Sequence, residues 1–223
     1  MIGNDLNIKD SQPEKMTKAA TDIRYLLEKG YQRESSIRFA GDHYRLDKSE
    51  RYILARTVFS SGTSVQRRKK KRGCGELKGK TLLIDGYNVL ITLESLLKGE
   101  RTWLADDSFM RDIRGVFRNH SNDHITFEAV EKMLSFVSKS KVKEANVLLD
   151  TQMKNSGELA AFIRKRMQEL EIPGSARTSR HVDYDLKNCH ISDVVATADG
   201  IIIDSVNNVI DIPACISKRY EEK

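Results

Sequence analysis

Apolar residues recur every three or four positions at Met16, Ala19, Ala20, Ile23, Leu26 and Leu27, a spacing that predicts an amphipathic helix ended by Gly30. Ile37 and Phe39 mark a short second helix ending at Gly41. A third starts near Asp47, where Glu50 stands three positions on as in a capping box, and Ile53, Leu54 and Val58 supply the buried stripe. Residues 1–60 therefore read as a small helical domain. Over residues 61–80 the periodicity stops, Gly and Ser accumulate around an unbroken basic run at 67–72, and a linker is expected.

From residue 81 onward, short apolar runs alternate with helical stripes. Strands are expected at 81–84, 145–149, 176–182, 194–198 and 209–212, with a helical stretch at 89–97 and a short helix at 201–206. Asp106 or Asp107 is expected to cap a helix bearing Phe109, Ile113, Val116 and Phe117. Thr126 is read as the cap of one bearing Phe127, Val130, Leu134 and Val137, and Ser156 as the cap of one bearing Leu159, Ile163, Met167 and Leu170. Strands separated by helices imply an α/β domain over 81–223, its mostly parallel sheet flanked by helices.

Charge sharpens this division. Residues 1–80 hold 19 Lys and Arg against 10 Asp and Glu, and the remainder 19 against 22, so a basic part is joined to a slightly acidic one. Arg67, Arg68, Lys69, Lys70, Lys71 and Arg72 would be ordered by phosphates, which points to nucleic acid; a targeting signal or a solvated linker is the plainer alternative. Three dispersed cysteines without a CxxC pair indicate neither a disulfide framework nor a zinc site, and suit a reduced, cytoplasmic setting. No stretch approaches the roughly 20 apolar residues of a membrane span, so no membrane partner is expected. Homo-oligomerisation stays open.

Three predicted strands run into aspartate: TLLI into Asp85, NVLL into Asp150 and VVATA into Asp199. In parallel α/β sheets the functional crevice lies outside the carboxyl ends of the strands, so these carboxylates are expected at one edge. Hard oxygen ligands that repel one another suit Mg²⁺ or Mn²⁺; a turn or cap role would explain any one of them singly. Lys154 with Ser156 at a helix start could receive a phosphate, or Ser156 could be an ordinary cap. His120 and His124 flank a loop, Cys189-His190 lacks a third partner, and all are read as structural. No phosphate-binding P-loop or dinucleotide fingerprint is present.

Asp85-Gly86-Tyr87-Asn88 after one strand and Thr197-Ala198-Asp199 after another resemble the PIN-like nucleases, and the DGYN version resembles their NYN branch. The whole chain is similar to an uncharacterised, largely archaeal family that joins a small amino-terminal domain of unknown function to a PIN-like domain. The stretch from Leu26 through Gly41-Asp42-His43-Tyr44-Arg45-Leu46 to Arg51 and Arg56 resembles that first domain. The resemblance implies a metal-dependent nuclease, with Asp85 and Asp199 as catalytic metal ligands. It also implies an acid shortly before the TxD motif, where Asp185 is preferred over Asp183, and a further acid for which Asp107, Asp112 and Glu94 compete. Asp204 is an added outer ligand, Asn88 a supporting group, and Asp193 a strand-entry residue. The sequence departs from the pattern where 183–188 leads into no long helix. Two functions follow: a metal-dependent ribonuclease, or a non-catalytic RNA-binding or RNP-assembly factor on the same fold.

Overall fold

The computed structural model describes residues 14–113, 121–189 and 192–221, which form two compact units. The first runs to Arg68 and takes back residues 103–113; the second comprises the rest from Lys69.

In the first unit α1 (Glu14–Glu28), α2 (Arg33–His43), α3 (Lys48–Thr57) and α4 (Ser61–Lys70, its last two residues in the second unit) follow one another. Gly30, at φ +83°, turns the chain out of α1, and Asp47 and Glu50 form the expected capping box of α3. Met16, Ala19, Ala20 and Ile23 pack with Ala40, Leu46, Ile53, Leu54 and Val58. Trp103 joins this core from a hairpin of β2 (Thr102–Leu104) and β3 (Met110–Asp112). Two expectations are corrected here. Residues 61–70 form a helix rather than a linker, and Phe109 belongs to a hairpin rather than a helix. Val116, Phe117 and His120 lie outside the described residues.

A charged knot closes the first unit. Asp107, fully buried, accepts from Arg111 Nη1 and Nη2 at 2.7 Å each and from Arg67 Nη1 at 3.0 Å. Arg33, Arg67 and Arg111 lie 4.4, 4.5 and 5.1 Å from the Phe59 ring centre. Burial pushes the Asp107 carboxyl up, but its arginine partners outweigh this and hold it below the usual carboxylate range. Burial, then repulsion from Arg67 and Arg111, pulls Arg33 down to about 10.

In the second unit the strands β1 (Thr81–Asp85), β4 (Glu144–Asp150), β5 (Gly174–Ser179), β6 (Val194–Ala196) and β7 (Val209–Ile210) pair in the order β5-β4-β1-β6-β7, all parallel. The chain winds outward from β1 through β4 to β5, then returns to the other side of β1. Side chains alternate between faces, as a pleated strand requires. Leu82, Ile84, Ala145, Val147, Leu149, Val194 and Ala196 join one large core. That core also holds residues of α5 (Gly86–Leu97), α6 (His124–Lys139), α7 (Ser156–Glu169) and α10 (Ile212–Glu221). Leu83, Leu148 and Val195 face the other way, toward Leu186 of α8 (Val182–Lys187) and Ile202 of α9 (Gly200–Ser205). Asp123, not Thr126, caps α6, with Thr126 as the third helical residue of the box; α7 starts after Asn155, with Ser156 as its first residue. Among the described residues no helix is long and apolar enough to cross a membrane.

Cys74 and Cys215 are joined by a disulfide, which corrects the expectation of unpaired thiols. A separation of 141 residues hides the pair from any spacing rule, and the fold brings the segment before β1 onto α10. Cys189 is free.

Two outcomes are expected. Asp107→Ala removes the buried carboxylate that Arg67 and Arg111 share and lowers unfolding free energy by roughly 3–5 kcal/mol, measurable by urea titration. Reducing the disulfide, or Cys215→Ser, lowers the thermal midpoint by about 10 °C in calorimetry with and without reductant.

Candidate functional site

Because all five strands run parallel, their carboxyl ends share one edge, and the turn of direction beside β1 opens a crevice there. A pocket of about 240 Å³ occupies it, lined by Asp85, Tyr87, Asn88, Leu148, Asp150, Met153, Val182, Asp183 and Asp199. Four carboxylates from four segments thus line one pocket.

Each is positioned by the chain around it. Asp85 ends β1 and precedes α5, whose first residue is Gly86. A Cβ at Gly86 would stand 2.7 Å from the Leu148 carbonyl oxygen and 2.6 Å from Leu149, so only glycine lets α5 start this close to β4. The Thr197 hydroxyl donates to Asp85 Oδ2 at 2.8 Å, and the Asn88 side-chain oxygen accepts from the Ala198 N–H at 2.8 Å. These two bonds tie the loop after β1 to the loop after β6. Asp199 caps α9, its Oδ1 accepting from Ile201 and Ile202 at 2.8 and 3.2 Å. Asp150 Oδ1 accepts from the Gln152 N–H at 2.8 Å.

Burial pushes the Asp85 carboxyl up to about 7, opposed by the Thr197 hydroxyl and reinforced by the negative charges of Asp199 and Asp183. Burial likewise raises the Tyr87 phenol to about 12, so it stays protonated at neutral pH.

The remaining acids are dispersed. Asp185 pairs with Arg177 at 3.0 Å and does not line the pocket; Asp183, two residues earlier, does. Asp107 and Asp112 belong to the first unit, where Asp107 is held by Arg67 and Arg111 and Asp112 lies 3.9 Å from Arg56. Glu94 accepts from the Thr126 hydroxyl at 2.7 Å inside the large core's helices. Asp204 is exposed on α9 outside the pocket lining, and Asp193 accepts from Thr81 at the start of β1, a strand-entry role as expected. Among the described residues, no three His, Cys, Asp or Glu side chains form a ready metal-binding group.

Five of the six residues of the basic run are engaged within the protein. Arg67 pairs with Asp107, Arg68 donates to the Asp106 carbonyl, and Lys70 reaches the carbonyls of Ile203 and Asp204 at 2.9 and 2.8 Å. Lys71 pairs with Asp211 at 3.1 Å, and Arg72 donates to Asn208 at 2.9 Å. Lys69 and Lys154 are exposed, whereas Ser156 is buried. His190 lies outside the described residues.

Residues 74–215 match the family described as a domain of unknown function, DUF5616, and residues 15–71 match a protein family of unknown function, DUF434. An uncharacterized protein of Methanocaldococcus jannaschii is 36% identical over 199 residues, covering 88% of this chain and 94% of the relative. No solved structure matches the chain significantly.

The charge balance at Asp85 makes stability depend on pH. Its folded value lies above the unfolded one of 3.8, so the folded protein binds the extra proton between about pH 4 and 7 and loses stability as pH rises through that window. Without divalent metal, Asp85→Asn is expected to stabilise the protein by about 2 kcal/mol at pH 8 and to change little at pH 4. Thermal melts of the two proteins across this range measure it.

Proposed function

The chain belongs to the DUF5616 family, in which it carries a DUF434 region before that domain, and on that premise we propose a metal-dependent nuclease that hydrolyses phosphodiesters, RNA above all. One observation supports this reading most: Asp85, Asp150, Asp183 and Asp199 line a single pocket at the carboxyl edge of a parallel sheet. Two of them, Asp85 and Asp199, stand at the DGYN and TxD positions by which the chain resembles PIN-like nucleases of the NYN branch.

The donor set fits Mg²⁺ or Mn²⁺. All four side chains are hard oxygen donors, and the negative charges of Asp199 and Asp183 add to the burial that raises Asp85, a repulsion an ion would relieve. Mg²⁺ commonly keeps several waters and takes only one or two carboxylates, so a closed three-ligand cage is not required. Asp85 and Asp199 would hold the ion, with Asp150 and Asp183 reached through water. Such an ion supplies an acidified water and neutralises charge on the phosphoryl oxygens.

The protein's own groups do the rest. Thr197 fixes the Asp85 carboxylate, and Asn88 keeps the TxD loop against α5. Asp199 spends Oδ1 on capping α9, which leaves Oδ2 for a ligand. Asp183, the exposed member of the four, takes the proton from the attacking water and passes it to solvent.

The second reading, a non-catalytic RNA-binding factor, draws on a specific observation: among the described residues no three ligands are drawn together in advance. Incubation with end-labelled single-stranded RNA, structured RNA and DNA in Mn²⁺, Mg²⁺ or EDTA separates the two. The nuclease reading requires metal-dependent cleavage that falls by roughly a thousandfold in an Asp85→Asn, Asp199→Asn double variant, the loss of several kcal/mol of transition-state stabilisation. Asp185→Asn should leave the rate unchanged. Binding without cleavage in every metal transfers the assignment to the binding factor.

A further inference from the structure

A pocket holding four carboxylates repels a polyanion, so a nucleic acid reaches it only where cations adjoin. All but Lys69 of the run at 67–72 have internal partners, and none of the run lines the pocket, so the cations are sought beside it.

Strand order identifies the place. The loops after β4 and β5 follow that of β1 along the carboxyl edge, each strand about 4.8 Å from the next. Met153 lines the pocket, and Lys154, the next residue, is exposed. Val182 and Asp183 line it too, and the residues immediately before and after them, Arg180, His181 and Tyr184, are all exposed. Tyr184 is 67% exposed. It is also anchored, because Leu186, two residues further along α8, is buried against Leu83 and Leu148 of the sheet.

Resting on the nuclease reading above, we propose that the β4–β5 flank of the pocket is the entry track for a single-stranded polynucleotide. Lys154 and Arg180 contact its phosphates, and Tyr184 stacks on an unpaired base. A single strand fits better than a duplex because an exposed ring offers stacking only to a base whose own faces are free.

The full chain is titrated in EDTA into a fluorescein-labelled single-stranded RNA and the same strand in a duplex, across a salt series, by anisotropy. The single strand is expected to bind more tightly. Tyr184→Ala should weaken it roughly tenfold at an unchanged salt slope, with Tyr184→Phe restoring binding. Lys154→Ala with Arg180→Ala should flatten the slope of log affinity against log salt by about 0.7 per lost contact. Thermal melts confirm that the variants fold. Equal affinity for duplex, no binding, or variants that bind as the unaltered protein does would overturn the track. A parallel cleavage assay in Mn²⁺ keeps the two ideas apart. Cleavage with unaltered variant binding removes the track alone, whereas binding that follows the pattern without cleavage removes the nuclease reading alone.

Discussion

Parallel pairing is the constraint on which the rest of the second unit depends. Strands that all point one way must be joined by crossovers, so helices cover the sheet and every strand ends at the same edge. Aspartates that terminate different strands are thereby forced together, although like charges oppose it. The opposition is met locally by the Thr197 hydroxyl on Asp85, the Asn88 bridge to Ala198 and the α9 amides on Asp199. A mostly apolar sheet thus carries a strongly acidic rim, and folding concentrates negative charge in return for core burial.

Much of that arrangement was legible in the chain. Strands buried on both faces read as unbroken apolar runs, so the aspartates ending β1 and β4 were visible at once, and helical periodicity with a capping box disclosed the first unit's helices. What stayed hidden depends on distant partners. Phe109 and Ile113 are spaced as on a helix, yet two three-residue strands are too short to express a period of two. Asp183 and Asp185 lie two residues apart, and the choice between them is made by Arg177 on the adjacent strand. A count of charges cannot see that Arg67 and Lys71 find Asp107 and Asp211, which lie 40 and 140 residues away.

That last point changes the meaning of the basic amino-terminal composition. Three guanidiniums gathered on one phenyl ring, two of them also bonded to one carboxylate, are a structural device. Their planar cations stack where an ammonium would need a full water shell. Positive charge in the first unit is partly a folding element, and only its exposed remainder is open to partners.

The hairpin from Trp103 to Asp112 has a consequence for how the chain is made. It supplies Trp103 to the first unit's core and Asp107 and Arg111 to its charged knot, yet it is translated after β1 and α5. On the ribosome the amino-terminal helices cannot complete their packing until residues beyond 112 have emerged, by which time the first strand of the other unit is already out. The usual order, in which an amino-terminal domain finishes before its successor begins, is interleaved here. The gap near residues 72–73 that separates the two family matches is therefore a poor place to cut the chain, since a fragment ending there would carry Arg67 without its carboxylate.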